Sequence, residues 1–184
     1  MEKGYRPKLV LGLALLILGS ILVFGGRTEE HLPNEDTFAS EPVRLQGFSQ
    51  YDNPNELLPT KIIIPKLSID LDIKKSEVID GYWKVYNDSA GWGDGSGLPG
   101  KNGNQVIFAH AREGLFLPLK NIQTGDVIYV TTSENWFSYK VVDIKEVYPN
   151  QIEVIAPTED ETLTLYTCSG YQDAKRLIVV AKRA

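Results

Sequence analysis

Hydrophobic positions follow two regimes along the chain. Residues 9–26 carry no charged side chain, and Lys3, Arg6 and Lys8 precede them with only Glu2 in opposition. At about 1.5 Å per helical residue, such a run approaches the ~30 Å of a bilayer core. It is long for a signal peptide and no small-x-small cleavage site follows, so a retained transmembrane anchor is expected over 9–26. The basic side predicts a cytoplasmic tail over 1–8 and everything beyond the anchor outside the cell. Residues 27–59 are polar, open with Glu29, Glu30, Glu35 and Asp36, and contain Pro33, Pro42, Pro54 and Pro59. They predict an extracellular linker reaching on the order of 30 Å as a flexible coil. His31 falls in it and reads as a solvated linker residue.

From residue 60 short apolar runs alternate with turn formers. Residues 61–73 form a run whose second half alternates, 83–86 a short strand, and 105–110 a buried strand ending at His110. Residues 126–131 and 136–144 flank a turn at 133–135, and 115–122 suit a short helix or 3₁₀ turn. The Gly-rich run 91–97 has no dinucleotide spacing and reads as a loop. Near the end, 162–168 alternates so that Leu163 and Leu165 share one face while Tyr166 and Cys168 lie on the other. An apolar strand follows over 176–181, and the residues from Ser169 to Asp173 supply turn chemistry for an antiparallel hairpin. Seven or eight short strands with about one helix predict an all-β barrel or sandwich over 60–184.

Charge and composition narrow the function classes. A net charge of −5 gives no electrostatic footprint for nucleic acid. One cysteine excludes an intrachain disulfide and any multi-cysteine metal site, and two histidines argue against a cluster of imidazole ligands. No phosphate-binding loop is present.

In the terminal hairpin the end of one strand faces the start of the next, so Cys168 and Arg176 are expected to be neighbours at one rim of the sheet. A lone cysteine is commonly a small buried hydrophobe. This one closes a strand at a loop beside a guanidinium, which favours thiolate over thiol. A cysteine nucleophile needs a proton-transfer partner, usually histidine. With His31 in the linker, His110 is the imidazole within the domain, and it ends a strand just before the turn Ala111-Arg112-Glu113-Gly114.

The run Thr164-Leu165-Tyr166-Thr167-Cys168 resembles the TLxTC signature of sortases, the cysteine transpeptidases of bacterial cell surfaces. With Arg176 downstream, the His110 strand upstream and the N-terminal anchor, the resemblance covers about residues 60–184. It implies a closed eight-stranded β-barrel with one or two short helices or 3₁₀ turns, preceded by a transmembrane helix. It also implies Cys168 as nucleophile, His110 as the acid that protonates the leaving amine, and Arg176 as donor to substrate and oxyanion. One departure is Ala109, where many members have glycine. The implied reaction cleaves a sorting motif near the C-terminus of a secreted surface protein through a thioacyl enzyme. The acyl group then passes to an amine of a peptidoglycan precursor or a pilin. No cofactor is expected.

Residues 151–158 correspond to the segment that forms the sorting-motif groove, where Ile152, Val154 and Ile155 are apolar enough for a Leu-Pro-like segment, ordinary barrel packing being the alternative. Thr167, beside the cysteine, joins them as a substrate-binding candidate. Some sortases bind calcium near the acidic triplet Glu159, Asp160 and Glu161, but it reads here as a solvated turn and no metal is expected. Asp52-Asn53-Pro54 poorly imitates the Asp-Pro-aromatic lid of pilin-polymerising members, and no hydrophobic tail follows Arg183, which favours an open, single-anchor enzyme of the housekeeping or class D/E kind. Two rivals remain. A membrane-tethered cysteine protease gives only acid product when an amine is offered, and a non-catalytic surface peptide-binding barrel keeps its peptide affinity after thiol alkylation, where the enzyme loses all turnover.

Overall fold

The computed structural model describes residues 58–184. The expectations for the basic tail, the 9–26 anchor, His31, Asp52-Asn53-Pro54 and all but the end of the linker lie outside the described residues. Among the described residues no helix is long and apolar enough to cross a membrane.

The strands are β1 (Lys61–Ile64), β2 (Ile69–Ser76), β3 (Val78–Ile79), β4 (Tyr82–Trp83), β5 (Ala90–Gly93), β6 (Gly103–Phe108), β7 (Val127–Thr131), β8 (Trp136–Val147), β9 (Glu161–Ser169) and β10 (Lys175–Arg183). Eight of them close a barrel in the order β1-β2-β5-β6-β9-β10-β8-β7, while β3 and β4 form a separate ribbon. The β2–β5 and β6–β9 pairs are parallel; the other neighbours are antiparallel. Among the described residues the helical content is four 3₁₀ turns, of which Leu117–Asn121 falls inside the expected 115–122 segment.

Three expectations are corrected. The 61–73 run is two strands, because Pro65 has no N–H to continue the ladder. Pro65–Leu67 makes a 3₁₀ turn, Ser68 at φ 53° reverses the chain, and β2 returns antiparallel to β1. Of 83–86, Trp83 alone is in a strand, in the small ribbon rather than the barrel.

The Gly-rich run opens with a barrel strand, β5, where a loop was expected. Its Gly91 and Gly93 answer crowding rather than turn geometry. A Cβ on Gly91 would meet the Ser76 hydroxyl and the Phe108 ring, and one on Gly93 would meet the buried Trp83 indole. Gly93→Ala is therefore expected to cost about 1–3 kcal/mol through overpacking. The check is the urea midpoint, and an unchanged midpoint would contradict this packing.

Alternation divides the apolar residues into two layers. Ile62, Ile64, Ile107, Leu163, Leu165 and Val179 belong to the main core cluster, which the alternation sets on the inner face of the barrel. Their sequence neighbours Val106, Phe108, Tyr166 and Ile178 belong to a second cluster with Trp83, Val147 and Ile155. Strands β6, β9 and β10 are thus covered on both faces, which is why β9 is buried almost throughout despite its alternation.

Candidate active site

The hairpin of β9 and β10 sets the first pair of side chains. Its register opposes Arg176 to Cys168 and Lys175 to Ser169, with no shift along the ladder. The turn between them is tight: Gly170 (φ 79°), Gln172 (φ 52°) and Asp173 (φ 57°) all adopt positive φ, and Tyr171–Asp173 forms a 3₁₀ turn. Two successive non-glycine residues in the left-handed region store strain at the rim.

Strand β6 brings the imidazole. Phe108 lies opposite Tyr166 in the parallel register, so two residues further on His110 reaches the level of Cys168, on the same side of the sheet. The strand itself ends at Phe108, short of the histidine. The chain beyond it is pinned to β9 from both sides: the Ala109 N–H donates to the Tyr166 carbonyl at 3.4 Å, and the Thr167 hydroxyl donates to the Ala109 carbonyl at 2.7 Å. Past His110, the Arg112 guanidinium donates to the Asn87 carbonyl at 3.0 Å and to its side-chain oxygen at 2.7 Å. The Phe116 N–H donates to the His110 carbonyl at 3.0 Å. His110, Cys168 and Arg176 are therefore carried to one rim by three strands.

Arg176 is only 3% exposed. Its Nη1 donates to the carbonyls of Asp173 (2.6 Å) and Lys175 (2.9 Å), and its Nε donates to the Tyr166 hydroxyl at 3.3 Å. Three of the five N–H bonds of a guanidinium are held by the protein, which fixes its plane.

The guanidinium's pull toward thiolate is set against burial, which the sequence left open. Burial pushes the Cys168 thiol up; the Arg176 charge opposes this and the Asp173 carboxylate reinforces it. Burial likewise lowers His110, helped by the Arg112 charge and opposed by Asp173. Desolvation disfavours the charged form of both groups and outweighs the guanidinium. At neutral pH, above the lowered histidine value and below the raised cysteine value, the pair rests as imidazole and thiol. Alkylation of Cys168 by iodoacetamide is then expected to keep accelerating with pH through the ordinary thiol value of 9.0 and to level off only beyond it. Full reactivity already reached at pH 7 would contradict it.

The other candidates occupy different roles in the packing. Thr167 is buried, with its hydroxyl given to Ala109, so it braces the histidine-bearing chain. Ile152–Ile155 forms a 3₁₀ turn. Ile155, 2% exposed, belongs to the outer-face cluster, with Ile152 and Val154 partly buried against it. In the acidic triplet, Lys182 Nζ bonds both carboxylate oxygens of Asp160, at 2.9 and 2.7 Å. Glu161 accepts from the Gly100 N–H at 2.8 Å and from the Tyr139 hydroxyl at 2.7 Å. Among the described residues no cluster of three or more His, Cys, Asp or Glu side chains is placed to hold a metal ion. Sequence reasoning missed two residues at the rim, Tyr166 and Asp173. The face shared by Tyr166 and Cys168 was a usable signal for the first; the second depends on a turn conformation that composition does not specify.

The sortase-domain family model matches residues 62–184. Sortase A of Listeria monocytogenes is 25% identical over 95% of this chain and 90% of its own length. Sortase A of Bacillus anthracis is 31% identical over 66% of this chain and 57% of its own. Among solved structures, sortase C from Clostridium perfringens superposes with a TM-score of 0.59 at 29% identity, covering 72% of both chains.

Proposed function

Because the chain belongs to the sortase family of cysteine transpeptidases, we propose that Cys168, His110 and Arg176 are its nucleophile, its acid–base and its oxyanion donor. The observation that carries this reading is the unbroken register that opposes Arg176 to Cys168, with His110 brought level by the parallel β6–β9 pair. In the first half-reaction the Cys168 sulfur, as thiolate, attacks the carbonyl carbon of the scissile peptide. Negative charge gathers on the carbonyl oxygen, where the fixed guanidinium donates hydrogen bonds that strengthen as the charge develops. The tetrahedral adduct collapses, the C–N bond breaks, and the His110 imidazolium gives its proton to the departing amine. A thioester remains. In the second half an incoming amine attacks the thioester carbonyl, His110 takes a proton from it, and the C–S bond breaks to release thiolate and a new amide. The thioester keeps much of the free energy of the peptide bond, so no nucleotide is needed.

The substrate side is a secreted surface protein bearing a C-terminal sorting motif, and the acceptor is an amine of a peptidoglycan precursor or a pilin. Ile152 and Val154 are the groove residues of this reading, with Ile155 as their buried support. The poor lid imitation at Asp52-Asn53-Pro54 supports an open enzyme of the housekeeping or class D/E kind. The charge-free run 9–26 behind basic residues supports a single-pass location in the cell membrane with the catalytic domain outside.

Product partition tests the reaction type. With a Leu-Pro-containing peptide library and rising concentrations of an amine such as triglycine, the product shifts from acid to amide. Acid alone at every amine concentration would point to the protease.

A further inference from the structure

Resting on the oxyanion role given to Arg176, the geometry points to Tyr166 as the positioning residue that sets the plane of its guanidinium. Tyr166 stands two residues before Cys168 on the same face of β9, diagonal to Arg176 across the β9–β10 ladder. Such diagonal neighbours lie within reach of long and aromatic side chains. Its hydroxyl accepts from Arg176 Nε at 3.3 Å, so the guanidinium is gripped on two sides. The Asp173 and Lys175 carbonyls hold Nη1, and the phenol holds Nε. The two carbonyls hold one nitrogen, and the phenol fixes the planar group at a second nitrogen.

The phenol is itself immobile. Tyr166 is buried and meets Phe108 edge-on with ring centroids 6.0 Å apart. Phe108 stacks on Trp83 at 5.6 Å and 16°, and the Trp83 indole donates to the Asp94 carbonyl at 3.0 Å. A row of three rings thus runs along the outer face from the β3–β4 ribbon to the guanidinium. A ring row of this kind needs only phenylalanine for packing at its last position. The hydroxyl is the part that packing does not explain, and the Arg176 Nε contact explains it.

The test is Tyr166→Phe in the full-length chain, which keeps the ring and removes only the acceptor. Kinetics are read with a fluorogenic Leu-Pro-containing peptide chosen from the library, alongside the melting temperature. A donor that acts in the transition state lowers kcat and kcat/KM together and leaves KM in place. The expected fall in kcat is about tenfold, equivalent to about 1.4 kcal/mol, in a chain that still folds and melts cooperatively, its melting temperature lowered by the lost partner of the buried Nε. In an Arg176→Lys background, where the planar fork is already gone, Tyr166→Phe is expected to add little. Wild-type kcat in Tyr166→Phe while Arg176→Lys is crippled overturns the positioning role alone, as does a full tenfold loss repeated in the Arg176→Lys background. Near-normal kinetics in Arg176→Lys itself overturns the oxyanion reading beneath it.

Discussion

Cys168→Ala is expected to leave a folded barrel that turns over no peptide, with kcat reduced on the order of 10⁴-fold or more. The substitution removes the atom that forms the covalent intermediate, so nothing in the site replaces it: among the described residues the chain has one free cysteine. The fold has little reason to suffer. Cys168 is only partly buried and lies one residue before the end of its strand, while the core side chains Leu163 and Leu165 on the other face are untouched. Circular dichroism and the melting temperature separate loss of chemistry from loss of structure. Turnover within tenfold of wild type in a folded Cys168→Ala chain would remove the cysteine from the mechanism.

Arg176→Lys is expected to lower kcat by about 10²–10³-fold, the usual effect of losing one oxyanion donor. The charge survives but the planar fork does not. A single ammonium cannot occupy the positions of Nε and Nη1 at once, so it cannot keep both the Tyr166 hydroxyl and the carbonyls of Asp173 and Lys175. Part of the damage falls on stability, because those carbonyls and a lysine head would be buried with imperfect partners. The two effects are resolved by measuring the melting temperature and kcat/KM on the same preparation. A stable variant with near-normal kcat would leave Arg176 a structural residue.

The neutral resting pair gives these variants a common background. Burial favours the thiol and the imidazole, so the reactive thiolate–imidazolium form is a minority and every stabilising contact in the transition state counts. Asp173 works in opposite senses on the two groups: its carboxylate favours the imidazolium and disfavours the thiolate.

Much of the terminal hairpin was legible in the chain before any coordinates. Alternation in 162–168 separated Leu163 and Leu165 from Tyr166 and Cys168, and strand pairing then required Arg176 opposite Cys168. Pairing is local there, and local geometry is what sequence patterns encode. The β1–β2 boundary was obscured because isoleucines run up to Pro65 and alternation resumes beyond it. Strand β5 was hidden for a different reason. Its glycines are imposed by Ser76, Phe108 and Trp83, residues from other strands, and a glycine selected by long-range crowding looks the same as one selected by a turn. The protonation state of the pair was equally out of reach, since it depends on burial by side chains far away in sequence.

The most direct measurement is intact and peptide mass spectrometry of the chain mixed with a Leu-Pro-containing peptide library and quenched in acid before the second half-reaction. The account predicts a mass increment equal to the N-terminal peptide fragment, mapped to Cys168, that disappears when an amine is added and reappears as amide product. A chain that processes the library with no adduct on Cys168 under any quench, or with the adduct on another residue, would contradict it.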